Sequence, residues 1–164
     1  MKKKLSLILL IFFVHNLSMA SSIICNFEEV YQNGQVQEGL ILIQNKNIRY
    51  EYFNDLLYTL IYKFDQNLYL VDNQNRKNIQ SVETNKEFFY NLIKLYDQYA
   101  NINDEIRINN FNFTIEKSRK FDFFKRIGVR SNQINLSLYF NNCDETKLDY
   151  KLFNPKPFKE IAIK

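Results

Sequence analysis

From residue 24 onward, apolar and polar side chains alternate along much of the chain with a period of two, the spacing of half-buried strands. In Ile48-Arg49-Tyr50-Glu51-Tyr52 the apolar positions fall on one face, and Arg49 and Glu51 fall on the other, wet one. Phe111, Phe113 and Ile115 alternate with Asn112 and Thr114. Ile134, Leu136, Leu138 and Phe140 alternate with Asn135, Ser137 and Tyr139. Clusters such as Asp65-Gln66-Asn67 and Asp72-Asn73-Gln74-Asn75 break the runs as turns. The pattern predicts strands over 24–32, 36–44, 48–53, 56–64, 68–72 and 77–82, and again over 105–108, 111–116, 121–129, 134–140, 147–153 and 158–163. Turns are expected at 117–120, 130–133 and 141–145. Asn33-Gly34 predicts a two-residue hairpin, because both residues tolerate positive φ. Leu40-Ile41-Leu42-Ile43 is apolar on both faces, so that strand is expected to be covered on both sides.

One stretch follows the helical period instead. Thr84-Asn85-Lys86-Glu87 has the form of a capping box and predicts a helix over 85–99. Phe88, Leu92, Leu95, Tyr96 and Tyr99 share one face of it. That stripe suits either core packing against the sheet or a cover over a ligand. The expected fold is mostly β: a strongly curved antiparallel sheet, or unclosed β-barrel, of about ten strands, with one mid-chain helix covering the concave side.

The first twenty residues are of another kind. Lys2, Lys3 and Lys4 precede an apolar run from Leu5 to Val14, and Ser18-Met19-Ala20 supplies small residues for cleavage. This is the pattern of a secretory signal peptide over 1–20, with the single domain over 21–164. An uncleaved anchor is the weaker reading, since the run is about half the ~20 residues that span a bilayer. A lipidation site is also poor, because Ile24 stands before Cys25 where a small residue is expected.

Removing this segment changes the chemistry. Three of the 22 basic residues leave with it, so 19 face 18 acidic ones and the net charge falls from +4 to +1. No concentrated basic character is left for nucleic acid. The only histidine, His15, leaves as well. A chain without histidine has no Ser–His–Asp or Cys–His arrangement and lacks the commonest metal ligand. Two cysteines make no zinc set, and no glycine-rich phosphate loop occurs. Neither catalysis, nor a metal, nor a cofactor is expected. Carboxylate pairs such as Glu28-Glu29 and Asp104-Glu105 read as turn or solvated-face charges. For Cys25 and Cys143 two readings stand: a disulfide in an oxidising compartment, or two separate buried thiols.

The stretch 34–82 resembles the periplasmic outer-membrane lipoprotein carriers (LolA-like). The likeness lies in Arg49-Tyr50 with Tyr52, in Tyr69 and Asp72 before a turn, and in Ile79-Gln80-Ser81-Val82. It implies a half-barrel with a hydrophobic cavity for lipoprotein acyl chains. It further implies a monomer that takes lipid-modified proteins from an inner-membrane ABC releasing complex to an outer-membrane receptor. Inward positions expected to touch acyl chains are Tyr50, Tyr52, Leu60, Tyr62, Leu70, Leu92, Tyr96, Phe113, Leu136 and Leu138. The chain departs from the family in three ways. No helix fits between the signal and the first strand; Gln44-Asn45-Lys46 stands where an Arg latch is usual; and Tyr69 replaces a common Trp. The rival expectation is an envelope interaction or sensor module of the same half-barrel, with a filled core and no lipid.

Overall fold

The computed structural model describes residues 22–64, 66–83 and 86–156. Among them β1 (Ile23–Tyr31), β2 (Val36–Gln44), β3 (Asn47–Tyr52), β4 (Tyr58–Tyr62), β5 (Leu68–Asp72) and β6 (Ile79–Val82) form one meander. A second consists of β7 (Glu105–Ile108), β8 (Phe111–Lys117), β9 (Phe124–Arg130) and β10 (Asn135–Glu145). Pairing of β1 with β10 joins the two into a single antiparallel ten-stranded sheet, in the order 6-5-4-3-2-1-10-9-8-7. The edge strands β6 and β7 do not pair, so the sheet is unclosed. Helix α1 (Lys86–Asp97) and a 3-10 turn, Tyr99–Asn101, run between those two edges. The fold class is the one expected: mostly β, one helix, an open barrel.

Register assigns the faces, since directly paired residues project to the same side of a sheet. Ile41, Tyr50 and Leu60 are consecutive partners, as are Ile43, Ile48 and Tyr62. These rows belong to the concave core, which continues through Cys25, Phe27, Phe113, Ile127, Leu138 and Phe140. Helix α1 fills much of this concavity with Phe88, Phe89, Leu92, Ile93 and Leu95, all buried. Phe89 stacks on Tyr62 and meets Tyr50 edge-on. At the other end, Tyr96 packs on Phe123 and Tyr99 on Phe124.

The helix is also tied at both ends. Asn109 Nδ2, in the β7–β8 turn, donates to Glu87 at 2.8 Å. Lys46 Nζ, in the β2–β3 turn, lies 3.4 Å from Asp97 and 5.0 Å from the centre of the Phe64 ring. The turn that lacks an arginine thus still holds the helix through a basic side chain.

The convex face has its own cover. Leu42, Arg49, Ile61 and Tyr69 form one cross-strand row on it, and Leu40, Glu51, Thr59 and Val71 another. Leu42, Thr59, Ile61 and Val71 are buried. The segment 146–153 crosses this side: Arg49 Nη1 donates to the Leu152 carbonyl at 3.1 Å, and Gln44 Nε2 to the Leu148 carbonyl at 3.2 Å. The expected two-sided covering of β2 is therefore met by α1 on one side and this segment on the other. The expected strand 147–153 does not form. Asp149 accepts from the Lys151 N–H and caps a 3-10 turn, Tyr150–Phe153, whose Phe153 is buried.

Two turn expectations are corrected by backbone geometry. At Asn33-Gly34 only Gly34 has positive φ, at 82°, and Gly34 N–H bonds to the Tyr31 carbonyl, a three-residue loop. The two-residue hairpin with both central residues at positive φ is Asn45-Lys46 (48° and 63°). Residues 141–145 continue β10 instead of turning. The β1–β10 register shifts there, opposite Cys25, and Asn142 has φ 48°. Such a bulge absorbs the extra residue that a turn signal announces. Strands β4 and β9 begin at Tyr58 and Phe124, later than expected, and Leu56 is left 76 % exposed. The expected signal segment 1–20, the expected capping residues Thr84 and Asn85, the expected turn residue Asp65 and the expected strand 158–163 lie outside the described residues.

Cys25 and Cys143 are joined by a disulfide across the β1–β10 seam. Beside it, Gly39 pairs with Phe27, and a Cβ there would collide with the Glu51 carbonyl and the Phe27 ring. The missing side chain lets that ring lie against the sheet and stack on Tyr50. Gly39→Ala is expected to cost about 2–3 kcal/mol as overpacking, read as a lower midpoint in urea unfolding with an unchanged slope.

Candidate functional site: a cavity under the helix

A cavity of about 310 Å³ remains where the N-terminal half of α1 does not fill the concavity. Each wall follows from strand alternation. β1 contributes Glu29 and Tyr31, two apart; β3 contributes Tyr50 and Tyr52; β4 contributes Leu60. Phe88 and Phe89 of α1 form the roof, and Ile134 and Leu136 close the far side with Gln133 and Asn135. Tyr31, Gln133, Ile134 and Asn135 also line a wider polar hollow between the β1–β2 and β9–β10 turns. The cavity therefore opens toward that end of the barrel.

Glu29 is the one carboxylic acid in the lining; Gln133, Asn135 and the tyrosine hydroxyls are its other polar groups. Glu29 is only 4 % exposed. Tyr52 Oη donates to its Oε2 at 2.8 Å, and the Tyr31 hydroxyl also bonds to it. No lysine or arginine pairs with it among the described residues. Burial pushes the Glu29 carboxyl above its usual range, partly countered by the tyrosine hydroxyls. Burial, reinforced by the Glu29 charge, pushes Tyr31 up to about 12 and raises Tyr52 and the fully buried Tyr50 as well. The Tyr50 hydroxyl is buried with no hydrogen-bond partner.

A carboxyl held high in the folded state binds its proton more tightly than in the unfolded chain. Stability therefore falls as pH rises from the unfolded carboxyl's pKa, near 4.5, toward the higher folded one, and above both the full penalty applies. Glu29→Gln keeps the shape and removes the charge. Its melting temperature is expected to exceed that of the native protein at pH 7, with the gap closing by about pH 4. Thermal unfolding followed at several pH values checks the sign.

The ten expected inward residues all lie on the concave face or on α1, but they do different jobs. Tyr50, Tyr52, Leu60 and Leu136 line the cavity. Tyr62, Leu92, Phe113 and Leu138, each 3 % exposed or less, belong to the filled core. Leu70 pairs with Leu60 and stays half-buried, and Tyr96 packs on Phe123 near the other end of α1. The family-motif residues lie elsewhere. Arg49 and Tyr69 are on the convex face, where Arg49 binds Glu51 at 2.6 Å and the C-terminal segment. Asp72 accepts from the Gln74 and Asn75 N–H groups, which lowers its pKa and sets the β5–β6 turn.

The reading of Glu28-Glu29 as solvated charges fails for Glu29. Its signal is the alternation itself: Ile23, Cys25, Phe27, Glu29 and Tyr31 share the inward face of β1, and only one of them can ionise as a carboxylate. Phe88 is on the expected stripe, whereas Phe89 turns inward because α1 is buried over more than one face. Asp104 and Glu105 are exposed, as expected. No protein-family model matches this chain, and no curated protein matches it.

Proposed function

We propose that this protein is a non-enzymatic binder of an apolar chain, built on the plan of the periplasmic lipoprotein carriers and exported by a cleaved signal. The observation that carries the reading is the cavity on the concave face: aromatic and aliphatic walls, a helix as roof, and an opening at one end. Each methylene moved from water into such a site is worth about 0.8 kcal/mol. The volume lies at the small end of ligand sites, which run from about 300 to 1,000 Å³. It suits part of one acyl chain. On this reading the cargo is a lipid-modified protein received from an inner-membrane ABC releasing complex and delivered to an outer-membrane receptor.

The test is native mass spectrometry of the secreted protein, followed by titration with an uncharged fluorescent acyl-chain probe. Retained lipid or saturable uptake supports the reading; lipid-free protein that takes up no probe overturns it. Leu60→Trp puts a ring into the cavity. Excluding about two methylenes of the probe costs about 1.6 kcal/mol, so affinity is expected to fall about tenfold or more.

One observation favours a second reading, an envelope interaction module with a filled core. Leu92, Phe113 and Leu138 are packed among other side chains and face no open space. Absence of any uptake in the same titration decides for it.

A further inference from the structure

We propose that the polar end of the cavity recognises a primary ammonium group, so that the occupant is an apolar chain carrying an amine. This rests on the reading of the cavity as a site for an apolar chain and adds the chemistry of its polar end. Glu29 is a buried carboxyl with no cationic partner among the described residues. A buried charge without a counter-charge is costly, and a ligand cation would supply what the chain itself does not.

The surroundings suit N–H donors on a cation. Tyr52 donates to Oε2 of Glu29 and the Tyr31 hydroxyl also bonds to the carboxyl group; among the described residues no other side chain does. The Tyr50 hydroxyl offers a second, unused acceptor. Around it the rings stand nearly at right angles in sequence. Tyr50 and Tyr52 have centroids 5.3 Å apart at 75°, Tyr50 and Phe89 5.9 Å at 76°, and Phe88 and Phe89 5.3 Å at 75°. One face of Tyr50 is stacked on Phe27 and each edge-on pair covers a further face, so the rings supply an aromatic wall beside the carboxyl, and a cation would be drawn to whichever π-face remains open. A carboxylate ligand would instead meet Glu29 as a like charge.

Three probes with the same eight-carbon tail separate the chemistries: n-octylammonium, octanol and octanoate, titrated by calorimetry into the native protein at pH 7. Octylammonium is expected to bind at least about tenfold more tightly than octanol, with octanoate weakest. Equal affinity for amine and alcohol, or preference for octanoate, overturns the inference while leaving an apolar-chain site intact. Binding of none of the three overturns both. In Glu29→Gln the preference for the amine over octanol should vanish; a preference that persists overturns the assignment to Glu29. Tyr52→Phe, which frees Oε2 and keeps the ring, should retain the preference. It tests the site independently if the Glu29 variant does not fold.

Discussion

Replacing Cys25 and Cys143 by serine is expected to lower the unfolding free energy by about 5 kcal/mol. The bridge spans 118 residues, and closing a loop of that length removes about that much chain entropy from the unfolded state in the loop-closure model. The position makes the loss consequential. β1 and β10 are the seam between the two meanders, and the bridge ties that seam at the bulge, where the register shifts between Ile24 and Asn26. A single domain has about 5–15 kcal/mol in total, so the variant should lie near the limit of folding. Urea unfolding of the native and double-serine proteins measures the difference. A loss below about 1 kcal/mol would show that the seam's hydrogen bonds and packing hold it without the covalent tie.

Phe27→Ala should cost about 4 kcal/mol, the range for a large aromatic removed from a packed core. Phe27 is 2 % exposed, and its ring lies 3.9 Å from that of Tyr50 and 5.6 Å, edge-on, from that of Tyr52. Gly39 opposite has no side chain to move into the gap, so any closure falls to the neighbouring tyrosines. Loss of the ring also unseats Tyr50 and Tyr52, so binding of an acyl probe should weaken along with stability. Phe27→Leu, which keeps most of the volume, should recover more than half of the loss in both measurements. A binding defect as large in Leu as in Ala would mean that Phe27 acts on the ligand directly and not through the tyrosines.

Facing was legible because the pleat is local. Every second residue points the same way whatever the rest of the chain does, so Tyr50, Tyr52, Leu60 and Leu136 could be put inside from their alternation alone. The alternation equally places Glu29 inside, but a carboxylate next to another reads as solvated unless the face is counted before the charge. The turn signals at 141–145 misled for a related reason. Asparagine accepts positive φ in a bulge as readily as in a turn, and only the partner strand decides between them. Arg49 has a further lesson. Its alternation gave the correct face, but that face is not simply wet, because the segment after β10 folds back across it.

Alternation and period therefore established most of the strands, the helix and the inward side, all properties of neighbours along the chain. Tertiary packing chose among the inward residues. How far α1 enters the concavity depends on contacts between segments far apart in sequence, among them Phe89 with Tyr62, Glu87 with Asn109 and Asp97 with Lys46. Where the helix fills the space, Leu92, Phe113 and Leu138 are core. Where it does not, Glu29 and the tyrosines surround a cavity. That difference comes from the volume left between packed elements, which has no counterpart in the order of residues along a strand.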